Sequence, residues 1–494
     1  MNANENSESN ALRNFGGASV PASQISAPEI DASCRVPLLA LFGGAAIWLV
    51  ISSIFGLMAS LTFHAPDIFA NSSWLTYGHL QPIANDALLY GFCIPAGLGV
   101  ALWLFAKIGG TPLRGALVPV VAANLWHFGV LVGLIGIFIG DSTGFQWLEF
   151  PRGSSMILFT AYLLIALWAM MNFAGRRERA LQPTQWFLIA ALFWFPWIYS
   201  TANLFLVAWP VRGVTQAVIG WWFADNLIFV WLALVGLGAA FYFLPKFSGR
   251  PLHTYYYALF AFWTLIFFGS SRGIPEGAPV PAWLPTLSAI NSALLIIPII
   301  AIATIGWKTV RNPANSNCRG GPFCIIKFGF AAFLLSALML FAMACPQVSR
   351  VVQFSWFSPA QTQLQLYGFF AMTMFGAIYY LMPGVMGFAL PFPKLVRVQH
   401  WFSMLGIIIL VATLAIGGIE QGLKLQNPNI AFLDIMKSTL PFLRASTLGL
   451  LFILIGNLLF AVNIFAMTFV WKIKLGKTAF ALVTAPLETS EVKA

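Results

Sequence analysis

The chain has 494 residues, of which 59% are hydrophobic and only 8% charged, with a formal net charge of +11. A soluble domain of this size needs a far more charged surface, so the composition excludes one. The apolar residues fall instead into runs of about 20, the length that crosses a hydrocarbon core of about 30 Å. Twelve runs follow one another, near 37–61, 83–106, 116–140, 154–173, 184–209, 216–244, 255–271, 283–305, 324–345, 362–383, 400–418 and 446–472. They are rich in Leu, Ile, Phe, Ala and Gly, and none alternates like a barrel strand. The expected fold is an all-α integral membrane bundle of twelve transmembrane helices.

The positive charge sorts along these runs. With the N-terminus in the cytoplasm, nineteen of the 26 basic residues fall inside, among them Arg176, Arg177, Arg179, Lys472, Lys474 and Lys477. Arg152, Arg212, Arg272, Arg350, Lys424, Lys437 and Arg444 fall outside. That is the positive-inside pattern. Basicity therefore reports topology and calls for no nucleic acid; the partner the spans imply is membrane lipid. An even helix count returns the C-terminus to the cytoplasm, as in a multi-pass protein of a bacterial-type inner membrane. Residues 1–36 are polar and lack a basic n-region with a prompt apolar h-region. They are expected to be a disordered cytoplasmic tail, followed by a membrane domain over 37–473 and a second cytoplasmic tail over 474–494.

Most connections are short, which predicts one bundle. The longer ones are 62–82, 141–153, 306–323, 384–399 and 419–445, the last expected to carry a short surface helix. No internal repeat of the inverted-transporter kind is visible. The five cysteines show no metal spacing. Cys318 and Cys324 share a loop expected in the cytoplasm, where no disulfide is expected, and Cys93 and Cys345 read as small apolar residues. Trp74, Tyr77, Trp147 and Trp222, near helix ends, fit an interfacial aromatic belt. Asn124, Asn203, Asn291 and Asn457 sit within spans, where hydrogen bonding from helix to helix is the expected role.

GWWFADNLIF (220–229) places Asp225 and Asn226 inside an apolar run. An ionised Asp at a helix centre costs about 2.5–3.5 kcal/mol on insertion scales, so it needs a partner, a proton or a function.

Six stretches together resemble subunit I of the heme-copper oxidases, specifically the catalytic subunit of cbb3-type cytochrome c oxidases. They are LTYGHLQPIANDALLYG (75–91), QWLEFPR (146–152), GWWFADN (220–226), FYFLPKFSGRPLHTYYYALFAFWTLIF (241–267), FGAIYYLMPGVMG (375–387) and HWFSMLGIIILVATLAIGGIEQGL (400–423). They run in the family's order, and the resemblance spans about residues 37–473. It implies heme b and copper, oxygen reduction with proton pumping, and cytochrome c-type partner subunits in a respiratory complex.

That chemistry uses six histidines, and this chain has five in all. Imidazole suits iron and copper alike. By register with the family, the low-spin heme ligand falls at Ala84 and the first copper ligand at Asp225. The adjacent copper pair falls near Pro275 and Glu276, and the His-x-His of helix 10 at Gln361 and Gln363. None of the six positions holds histidine. Tyr255 matches the family's cross-linked tyrosine, with no histidine to join. His64, His79, His127, His253 and His400 lie at scattered heights. Glu149, in LEFP, matches a family acidic residue near the heme propionates and an associated calcium.

Polar residues rather than random apolar ones stand at or beside most of the replaced positions: Asp86, Asp225, Asn226, Glu276, Gln361 and Gln363. Asp86, Asp225, Asn226 and Glu276 could line a polar pathway, and a set of Asp225 and Glu276 would suit Mg, Ca or Mn better than copper. The alternative is a protonated or paired Asp225 in an emptied cavity. The sequence thus supports a ligand-depleted relative of oxidase subunit I, a structural or accessory component of a respiratory electron-transfer complex, with no cofactor of its own expected. A working terminal oxidase or nitric-oxide reductase, and an ion- or proton-conducting protein, are the alternatives.

Overall fold

A computed structural model describes residues 26–252, 254–311 and 321–484, with side chains as far as residue 478. Among these residues all regular structure is helical. In chain order the helices are α1 (Ala27–Leu61), α2 (Tyr77–Gly109), α3 (Leu117–Phe138), α4 (Arg152–Ala174), α5 (Pro183–Ala208), α6 (Val214–Ser248), α7 (Tyr255–Gly269), α8 (Trp283–Val310), α9 (Pro322–Ala344), α10 (Pro346–Val352), α11 (Phe357–Met386), α12 (Pro393–Leu425) and α13 (Phe432–Thr484). Eleven are long and apolar enough to cross a membrane, all but α7 and α10. The count thus differs from twelve at α7, whose 15 residues rise less than a bilayer core requires.

Three boundaries also differ from expectation. Helix α1 starts at Ala27, ahead of its apolar run, where the Glu29 carboxylate accepts the Ser26 N–H at 2.9 Å and stabilises the first turn. Of the expected N-terminal tail, 1–25 lie outside the described residues. The expected surface helix within 419–445 is absorbed into its neighbours: α12 continues to Leu425 and α13 begins at Phe432. Helix α13 also carries on through 474–484, part of the expected C-terminal tail, and 485–494 lie outside the described residues. Cys324 is disulfide-bonded, contrary to the expectation for that loop; Cys318 lies outside the described residues.

The bundle is built around α2, α6 and α11, whose most apolar windows are 100%, 94% and 83% buried, against 44–56% for the other long helices. Around them pack α1 with α12 and α13, α3 with α4, α5 against α6, α7 with α8, and α9 against α11. A helix buried on every face must satisfy each polar side chain inside the protein. Each central helix ends on a left-handed glycine, at Gly110, Gly249 and Gly387 (φ 63°, 69° and 74°). There the glycine N–H bonds back to the carbonyl of Ala106, Pro245 or Pro383.

The central helices share one irregularity. Each contains a π-helical turn, over Ala87–Cys93 in α2, Asn226–Trp231 in α6 and Leu364–Ala371 in α11. The three turns begin directly after Asp86, Asp225 and Gln363. A fourth, Asn203–Ala208, closes α5. Such a turn adds a residue to the coil, widens it and is frequent at functional sites.

Candidate functional site

The bundle has a terminal face, where α1 starts and α13 ends, and a distal face opposite. A cavity of about 710 Å³ occupies the distal half. The cavity is of a size that holds a small-molecule ligand. Ala84, Asp225, Pro275, Glu276, Gln361 and Gln363 all line it. Six positions spread over 280 residues and selected by motif register thus converge on one space. Asp86, Asn226 and Tyr255 do not line it. Tyr255 sits at the start of α7 near the terminal face, 39% exposed, and accepts a hydrogen bond from Trp186 Nε1 at 3.3 Å. Its distance from the cavity removes it from the candidate site.

Asp225 is answered by a residue that sequence reasoning had counted only as a loop cation. Arg272, on the α7–α8 connection and 5% exposed, places Nη2 3.1 Å from Asp225 Oδ1. Its Nε donates to Ser292 Oγ at 3.2 Å, and its guanidinium carbon lies 4.7 Å from the centre of the Phe229 ring. Burial lowers the Arg272 pKa, and the Asp225 carboxylate acts against that shift. Gly273 lets the loop come this close. Its φ is +103°, and a Cβ there would lie 2.7 Å from Asp225 Cβ and 2.9 Å from the Trp221 carbonyl oxygen. The paired charge explains how a carboxylate is tolerated at this depth. The only sequence sign was an arginine beside the motif that replaces the adjacent histidines. Asp225 Oδ2, Arg272 Nη1 and Gln363 Oε1 are buried without a hydrogen-bond partner.

The remaining polar groups are held by local bonds. Gln361 Nε2 donates to Ser336 Oγ at 3.0 Å, and that hydroxyl donates to Gln365 Oε1 at 3.0 Å. Ser52 Oγ donates to the Ala84 carbonyl at 2.7 Å. Asn226 accepts from Trp194 Nε1 and donates to the carbonyls of Trp222 and Ser270, which ties the π-helical turn of α6 to α5 and to the end of α7. Asn457 bonds to Ser53 on another helix, as expected, whereas Asn291 bonds to Ser271 on the α7–α8 connection. Asn124 and Asn203 bond only to carbonyls one turn back, at Val120 and Tyr199.

Asp86 points the other way from Ala84, toward Glu149 on the α3–α4 connection. Its side chain is fully buried and meets that of Glu149 in hydrogen-bonding contact. Trp147, with φ +66°, turns the loop inward, an uncommon conformation for a bulky residue. Burial pushes the Glu149 carboxyl from its usual 4.5 to about 7, with backbone hydrogen bonds at Trp147, Leu148 and Glu149 opposing the shift. This pairing across 63 residues was not legible in the sequence.

The four described histidines are dispersed rather than gathered at one site. His127 accepts from Trp48 Nε1 at 3.2 Å and faces the Ala40 carbonyl. His64 bonds Thr447 and His79 bonds Thr76. His400 lies in the terminal half beside Cys324 and Lys327, and His253 lies outside the described residues. None of the four described histidines lines the cavity. Among the described residues no group of three or more His, Cys, Asp or Glu could hold a metal ion. An alanine, two amides, a proline and two carboxylates, one of them ion-paired, offer iron and copper no imidazole, so the residues present do not fit these groups.

A helical membrane bundle with its central helices opened by π turns around one buried cavity defines a class, and comparison with known proteins identifies it. A model of the family described as cytochrome c and quinol oxidase polypeptide I matches residues 36–452, and the chain belongs to that family. It is 23% identical over 454 residues to a cytochrome c oxidase subunit 1 homolog of Azorhizobium caulinodans, covering 87% of this chain and 80% of that one. It is 21% identical over 442 residues to the cbb3-type cytochrome c oxidase subunit CcoN1 of Stutzerimonas stutzeri, covering 86% and 92%. Among solved structures, a heme-copper terminal oxidase superposes with a TM-score of 0.73 at 15% identity, over 88% of this chain and 84% of the other.

Proposed function

We propose that this protein is a ligand-depleted subunit I, a structural or accessory membrane component of a respiratory electron-transfer complex rather than its oxygen-reducing centre. One observation carries the reading. The cavity is lined at the six register positions by Ala84, Asp225, Pro275, Glu276, Gln361 and Gln363, none of them a histidine. Mobile charge in that space is restrained by an internal ion pair with Arg272. In this reading α7 serves as the twelfth crossing, the terminal face lies in the cytoplasm of a bacterial-type cell, and the partners are cytochrome c-type subunits. The two relatives named above, a cytochrome c oxidase subunit 1 homolog and a cbb3-type oxidase subunit, support that setting.

A conducting role has less support. Further along α2, α11 and α13 toward the terminal face, Phe92, Phe375 and Phe460 pack ring against ring, which opposes a continuous polar path. The deciding experiment is a pyridine hemochrome assay with metal analysis on the purified full chain, and on the complex isolated with it. The expected result is a chain without stoichiometric heme b or copper that copurifies with c-type cytochromes. Stoichiometric heme b and copper bound to the chain would reject the proposal.

A further inference from the structure

We propose that Asp86 and Glu149 form a one-proton site behind the cavity wall, a single proton held between two carboxyl groups and exchangeable with the distal face. The inference goes beyond the accessory-subunit reading and does not depend on it. The two side chains are in hydrogen-bonding contact. Yet both Asp86 oxygens and Glu149 Oε2 are buried with no donor among the described residues. Two ionised carboxylates have no hydrogen to share and repel each other. A carboxylic acid facing a carboxylate makes a charge-assisted bond instead.

The ion pairs Lys107–Asp31, Arg272–Asp225 and Lys424–Glu420 among the described residues do not involve the two acids. The titratable groups facing them are Tyr90, from the π-helical turn of α2, and Tyr199, from α5. Tyr90 donates its hydroxyl to the Trp147 carbonyl at 2.5 Å and so braces the loop that carries Glu149. The Tyr199 hydroxyl, in a residue 1% exposed, is met by the side chains of Ser155 and Asn203 and supplies no charge to the pair. Phenols leave the excess charge of two carboxylates uncompensated, so a proton is the compensating cation. Asn85, Gln146 and Trp147, neighbours in sequence of the two acids, line the cavity. They place the pair next to a space that opens on the distal face. The reaction is a simple dissociation: the bridging proton leaves to water in the cavity, and two carboxylates remain. Because the groups share it, the proton belongs to the pair and not to either residue.

Infrared spectroscopy of the full chain in lipid nanodiscs tests this. At neutral pH the protein should show a carbonyl band of a protonated carboxylic acid that shifts in D2O. In the difference spectrum of wild type minus Asp86→Asn/Glu149→Gln, which cancels the other carboxyl groups among the 15 Asp and Glu residues, the band should vanish at alkaline pH and approximately double when acid protonates the second group. The double variant Asp86→Asn/Glu149→Gln should lose it, with circular dichroism confirming the helical fold. Glu149→Gln alone leaves one acid and should abolish the acid-side doubling. Absence of the band at neutral pH, its persistence in the double variant, or doubling retained in Glu149→Gln would overturn the proposal. So would loss of the band on adding calcium or magnesium chloride with a rise in Tm, which would assign the site to a metal cation.

Discussion

Asp225 is the residue whose meaning changed most between sequence and structure. In the apolar run it is a costly charge; in the fold it is half of a buried pair with Arg272, whose side chains are 16% and 5% exposed. Removing one partner of such a pair strands the other, a loss of about 3–5 kcal/mol. Arg272→Gln should therefore lower Tm markedly in detergent or nanodiscs. Asp225→Asn/Arg272→Gln, which restores a neutral hydrogen-bonding pair, should recover much of the loss. Equal Tm values for wild type and Arg272→Gln would mean that the pair is not structural. Glu149 teaches a complementary lesson, because this second buried carboxylate stays unpaired by any described cation and is answered by another acid. The difference is set by which side chain the facing element happens to present.

At the scale of elements, the π turns of α2, α6 and α11 all fall immediately after polar positions, so the widened coil and the polar side chain belong to one local device. Helical periodicity cannot reveal such a turn, since it changes backbone hydrogen bonding without a distinctive residue. Close packing of α12 on α13 is set by glycine instead. A Cβ at Gly449 would lie 2.7 Å from Leu410 N and 2.8 Å from the Gly406 carbonyl oxygen. Small residues permit this approach in membranes, where packing rather than hydrophobicity joins helices. Gly449→Ala should accordingly push the two helices apart at a cost of about 1–3 kcal/mol, typical of overpacking. Gly476→Ala, on the same helix with nothing within 4 Å, is the control and should leave Tm unchanged or slightly higher. A match between the two variants would refute this account of the interface.

For the whole molecule, pH should enter stability through the buried acids. The folded-state pKa of Glu149 is raised from 4.5 to about 7 by burial. The folded state therefore holds a proton that the unfolded state releases more readily. This contribution is complete below about pH 4.5 and is lost as pH rises through about 7. Unfolding midpoints in nanodiscs should fall from pH 6 to pH 8, and Glu149→Gln should flatten that slope. A midpoint that rises over this interval would contradict the assignment. The membrane class, the helical architecture and the positions of most spans follow from composition and run length alone, because a bilayer imposes one length and one solvent on every crossing. The positions picked by motif register, Ala84, Asp225, Pro275, Glu276, Gln361 and Gln363, all line one cavity, since local sequence pattern carries the helix register. Other features depend on how distant segments meet: the Arg272 partner of Asp225, the contact of Asp86 with Glu149, the departure of Tyr255 from the site and the short α7. Pairing, burial and protonation are properties of facing side chains from separate helices, and one-dimensional spacing does not encode which faces turn toward each other.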